Sequence, residues 1–158
     1  MNNKVILVVL DSLNLKVAQD CLGYLTGLIE HKLTSKHSLT SELPSLSRPL
    51  YECILTGVSP IRSGIVHNHV TRNSQFDSVF SLAKNQRKTT AAAAYHWMSE
   101  LYNRSPYDAH RDRHTNDSSM NIQHGLFYHW DITPMKLCFL MENLYARNSI
   151  PAFYLFTR

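Results

Sequence analysis

Cysteine is scarce in this 158-residue chain: Cys21, Cys53 and Cys138 are the only three. None are spaced Cys-x-x-Cys, which argues against a disulfide framework or a zinc knuckle. Buried reduced thiols are expected instead, in keeping with a reducing compartment. Long apolar runs are also lacking. The one at the N-terminus ends on Asp11, far too soon to cross a bilayer, and it has no small-residue cleavage pattern of a secretory signal. A cytoplasmic protein with no membrane partner is therefore expected. Basic residues outnumber acidic ones by 16 to 12, giving a formal net charge of +4. They are scattered, and acids interrupt the tract around Arg111 and Arg113, so the dense basic stripe of a nucleic-acid partner is missing. Repeats and low-complexity tracts are absent as well.

The hydrophobic content, 44%, suffices for the core of one ordinary domain. Residues 4–10 form a continuous β-branched and leucine run, expected of a central parallel strand covered on both faces. Asp11 closes it and a helix start follows, with Leu15, Ala18, Leu22, Leu25 and Ile29 at helical spacing. Gly23 and Gly27 would let that helix approach a sheet closely. The βα unit places Asp11 at the carboxyl end of a strand, the edge where open α/β sheets bind ligands. Residues 33–43 suggest a second strand or extended arm. Phe76, Val79, Phe80 and Ala83 mark a helix. Residues 89–95 read as a short buried strand, with helix an alternative because of four alanines, and Trp97, Met98 and Leu101 begin a helical turn. Residues 104–123 are polar and read as a surface excursion. The alternation predicts a layered α/β/α fold with a largely parallel sheet.

Residues 41–52 are the stretch around which the rest is arranged. Pro44 stops any helix before it and biases Leu43 towards an extended backbone. Ser47 stands at an N-cap position, Pro49 falls in the first turn, and Leu50, Cys53 and Ile54 give an apolar helical face. Gly57 ends this helix, and Pro60 lies beyond as a breaker. A hydroxyl is thereby held at the positive end of a helix, where an anionic group is stabilised. Capping is the ordinary role for such a serine, as it is for an aspartate at a strand end.

Four features follow one another in order. The first strand ends in Asp11; then come Pro44-Ser45-Leu46-Ser47-Arg48-Pro49, Leu55-Thr56-Gly57-Val58-Ser59-Pro60 and Ser63-Gly64-Ile65-Val66-His67-Asn68. This order resembles the N-terminal part of the alkaline phosphatase superfamily, in its type I phosphodiesterase and nucleotide pyrophosphatase branch, over most of residues 4–130. The resemblance implies a metal-dependent hydrolase of small-molecule phosphodiesters or phosphoanhydrides. It implies Ser47 as nucleophile, Asp11 and Ser47 as metal ligands, two zinc ions and a covalent phosphoserine intermediate. Such a pair of ions would stabilise the attacking and leaving oxygens of an in-line displacement. Ser12 stands where the family usually has Gly, Leu50 where many nucleotide pyrophosphatases have Asn, and Ser47 where threonine also occurs. A sulfatase or phosphomutase relative within the superfamily differs only in substrate. A non-catalytic α/β binding domain, with Ser47 only a cap, is the rival from outside it.

The family's other metal ligands are Asp and His residues in the distal half of a longer chain, so the metal site is expected to be incomplete here and the chain by itself inactive in turnover. His110 and His114 have a helical spacing that suits zinc but read as part of a solvated loop. His67 and His69 read as surface groups or as supports behind a site's direct ligands, and His96 as an ordinary half-buried histidine. His124 and His129 carry no motif. Residues 1–131 are expected to form the N-terminal part of the catalytic domain, and residues 132–158 to be an out-of-frame tail. With Asp131 kept in frame and the codons after it read one base earlier, residues 131–136 permit Asp-His-Tyr-Pro-Asp-Glu and residues 154–158 permit Leu-Phe-Ile-His-Pro, both expected in the resembled family. A genuine C-terminal helix and strand also suits the pattern of the tail.

Overall fold

The computed structural model describes residues 5–11 and 13–129. In chain order the elements are α1 (Leu15–Cys21), α2 (Gly23–Glu30), α3 (Ser47–Thr56), α4 (Pro60–Ser63), α5 (Val79–Asn85), β1 (Ala91–Tyr95), α6 (Trp97–Tyr102), α7 (Ala109–Asp112), β2 (His114–Asn116) and β3 (His124–Tyr128). The proposed tail, residues 132–158, lies outside the described residues.

The alanine run is a strand. All five residues of β1 are buried, and β1 pairs in parallel with β3 from Ala91↔His124 to Tyr95↔Tyr128. The β2 strand joins the other side of β3 antiparallel, giving the order β1-β3-β2. The fold is thus mixed α/β around a three-stranded sheet. Alanine has little strand propensity of its own, and here the ladder and full burial override it. Against this sheet pack Tyr51 and Leu55 of α3, Phe80 of α5 and Met98, Leu101 and Tyr102 of α6, together with Ile65, Ile122 and Phe127.

Several expectations are corrected. Residues 5–10 belong to no strand ladder among the described residues. Leu7 and Val9 pack against the core, whereas Val5, Ile6, Val8 and Leu10 are each at least half exposed. The run has one packed face, because the helix expected to cover its other face does not bury itself. That helix breaks at Leu22 into α1 and α2, neither of which has a buried residue. A Cβ at Gly23 or Gly27 would meet nothing within 4 Å, so no close approach occurs there. Residues 33–43 are exposed and form no strand. The polar stretch 104–123 is not purely a surface excursion, since it contains α7 and β2 and buries Asp112 and Ile122. Cys21 is exposed and Cys53 only half-buried, not buried thiols as expected.

Candidate functional site

The α3 helix carries the site, and its start differs from the expected one. Leu46 is the N-cap, with extended backbone and no capping side chain, and Ser47 is the first helical residue. The chemistry of the first turn explains why no cap is needed. Arg48 N–H, the donor a cap would take, is held by Asn68 Oδ1 at 3.0 Å. Pro49, next in line, has no N–H to offer. The helix ends at Gly57, whose φ of 73° is the left-handed conformation glycine adopts without cost. The inward face also differs. Arg48, Pro49, Tyr51, Glu52 and Leu55 are buried, while Ile54 is half exposed and Leu50 and Cys53 are intermediate.

Relieved of capping, the Ser47 hydroxyl donates to Asp11 Oδ2 at 2.8 Å, across 36 positions of sequence. The structure thus brings together the two site residues expected from sequence. The same carboxylate oxygen accepts a second hydrogen bond, from the Tyr51 hydroxyl at 2.5 Å. Ser47 and Tyr51 are one helical turn apart, so both hydroxyls project from one face of α3. Sequence reasoning missed Tyr51, although its spacing from Ser47 was a usable signal.

Behind this face lies a buried polar layer. Arg48 forms an ion pair with Glu100 of α6, its guanidinium also donating to Asn68 O at 2.9 Å and lying 5.5 Å from the Trp97 ring centroid. Burial lowers the Arg48 pKa, against the attraction of Glu100. Glu52 accepts from Tyr102 OH at 2.7 Å and Ser74 Oγ at 2.5 Å, and burial first, then Glu52, push the Tyr102 phenol pKa well up. These contacts tie α3 to α6 and to the loop after α4, fixing the helix that presents Ser47. Sequence gave no sign of them, because charged residues on an amphipathic helix are ordinarily solvated.

A cleft of about 270 Å³ adjoins this layer, lined by Arg48, Asn68, His69, His96, Trp97 and His129 among others. Arg48 Nε and His96 Nδ1 are buried without hydrogen-bond partners. Burial lowers the His96 pKa to about 4, so its ring is neutral near pH 7. His67, His69, His110 and His114 are exposed, but His110 lies in α7 and His114 opens β2, so the loop expected of that pair is not found. No group of three or more His, Cys, Asp and Glu among the described residues is arranged to hold a metal. No helix among them is long and apolar enough to cross a membrane.

Fold and site describe an α/β protein that holds a serine hydroxyl against a carboxylate at the start of a helix. The family model for type I phosphodiesterase / nucleotide pyrophosphatase matches residues 5–137, and the chain belongs to that family. Membership supports a hydrolase of the phosphodiesterase and pyrophosphatase type. No curated protein and no solved structure matches the chain.

Proposed function

We propose that this chain carries the nucleophile side of a metal-dependent hydrolase acting on a small-molecule phosphodiester or phosphoanhydride. Ser47 is the nucleophile, and Asp11 and Ser47 are ligands of a divalent metal. The observation that carries this reading is the 2.8 Å hydrogen bond from Ser47 Oγ to Asp11 Oδ2. A carboxylate oxygen and a hydroxyl this close form an all-oxygen donor pair suited to a divalent cation. They supply part of a site, since no further cluster of ligands stands among the described residues. Two zinc ions are the metal complement that family membership suggests.

Ser47 Oγ forms a bond to phosphorus as the bond to the leaving oxygen breaks, and the hydroxyl proton leaves on the side where Asp11 already accepts it. Water then cleaves the phosphoserine ester and regenerates the hydroxyl. The position of Ser47 at the start of α3 adds a favourable field for the charge that develops. A bound divalent metal would lower the pKa of the hydroxyl and offset the charge at phosphorus.

Zinc titration calorimetry and mass spectrometry test the assignment. Zinc binding by the wild-type chain and its loss in Asp11→Asn are expected, as is a phosphoryl adduct on Ser47 after acid quench from a chromogenic phosphodiester and zinc. Unchanged zinc binding in Asp11→Asn removes Asp11 from the site. Turnover that persists undiminished in Ser47→Ala removes the nucleophile.

A further inference from the structure

Tyr51 belongs to the core by its ring and to the site by its hydroxyl. The residue is 3% exposed and belongs to the core cluster with Leu55 and Met98, its ring centroid 6.4 Å from that of Trp97. Packing alone would be served as well by phenylalanine. The hydroxyl is accounted for by Asp11, whose Oδ2 accepts it at 2.5 Å and accepts Ser47 Oγ at 2.8 Å. Asp11 needs such a partner. It follows a run packed on one face only, with no ladder among the described residues to fix the backbone. The two hydroxyls of α3 therefore do what strand pairing does not, and set the position of the carboxylate relative to the helix.

We propose that Tyr51 is a positioning residue of the nucleophile site, its hydroxyl holding the Asp11 carboxylate against Ser47 and oriented to receive a divalent cation. The inference rests on the reading of Asp11 as a metal ligand. Tyr51 acts through Asp11 and is given no contact with the reacting atoms. Hydrogen-bond partners of metal-ligating groups typically contribute about 10–100-fold to metal affinity.

The test uses the full chain as wild type, Tyr51→Phe, Asp11→Asn and the double variant. Tyr51→Phe keeps the buried ring, and its melting temperature reports whether packing survives. Zinc titration of Tyr51→Phe is expected to give a dissociation constant raised about tenfold or more. A second readout requires no metal. A phenol that donates to a carboxylate absorbs at longer wavelength than one that does not. Asp11→Asn is therefore expected to shift the near-ultraviolet tyrosine band in the wild-type background and to leave it unshifted in the Tyr51→Phe background.

Zinc binding that is lost in Asp11→Asn but unchanged in Tyr51→Phe overturns this inference and leaves the functional reading standing. The same tyrosine shift in both backgrounds also overturns it. Zinc binding indifferent to Asp11→Asn overturns the functional reading, and this inference with it.

Discussion

Arg48 and Glu100 form an ion pair inside the protein, with side-chain exposures of 1% and 7%. The arginine directly follows Ser47, so the pair anchors the first turn of α3 to α6. Charges buried to this degree lose most of their hydration, and removing one partner strands the other. Arg48→Met and Glu100→Gln are each expected to lower the free energy of unfolding by roughly 3–5 kcal/mol. The double variant, with no stranded charge, should lose less than the sum of the two. Urea denaturation of the four proteins checks this, and strictly additive losses would show that the two charges do not depend on one another.

His96 makes stability depend on pH. Burial is the main cause of its lowered pKa, about 4 against an ordinary 6.5, with His129 and Arg48 adding to it and Glu100 opposing. Between those two values the unfolded chain binds a proton that the folded chain excludes. The stability linked to neutral His96 is therefore fully present above the unfolded pKa and falls as pH drops towards the folded one. The total loss is at most about 3 kcal/mol. His96→Gln, which has no proton to gain, should show a flatter fall in unfolding free energy across this window. Parallel curves for the two proteins would assign the acid sensitivity to other groups.

Asp11 and Ser47 could be singled out in the sequence, whereas the packing around them could not. They stood out through the order of motifs around them, and the structure places them within one hydrogen bond of each other. The helix bounds at Thr56 and Gly57 were also legible, because a left-handed glycine is a local signal. The cap falls one residue earlier than expected, at Leu46, because Arg48 N–H finds a partner twenty positions away in Asn68, which no local pattern reveals. Residues 5–10 satisfied the pattern of a doubly covered strand, but pattern alone cannot say whether a covering layer is present. The inward turn of Arg48 and Glu52 was invisible because Glu100, Tyr102 and Ser74, which make it favourable, lie far along the chain.

Gly125 is a tight point of the sheet. It lies in β3 opposite Ala92, and a Cβ there would come within 2.3 Å of the Phe127 ring. That ring is itself fully buried in the core, so it has little room to give way. Gly125→Ala is expected to destabilise by roughly 1–3 kcal/mol. Adding Phe127→Leu should relieve the overlap, making the second change less costly in the alanine background than in wild type. A double-mutant cycle by chemical denaturation measures this coupling, and a coupling of zero would mean the ring moves aside freely.

Ser47 and Ser78 offer a direct comparison of a serine freed from capping with one that caps. Ser78 is buried at the start of α5 in a reciprocal arrangement, accepting from Ser81 N–H at 3.2 Å while its own N–H donates to Ser81 Oγ at 2.9 Å. Ser78→Ala leaves a helix donor unpaired and should cost about 1–2 kcal/mol. Ser47→Ala removes one half-buried hydrogen bond and no cap, so about 1 kcal/mol or less is expected. Thermal and urea unfolding of the two variants rank these costs, and a greater loss at Ser47 would restore it to a structural role. With the expected ranking, loss of the phosphoryl adduct in Ser47→Ala reports on chemistry and not on unfolding of α3.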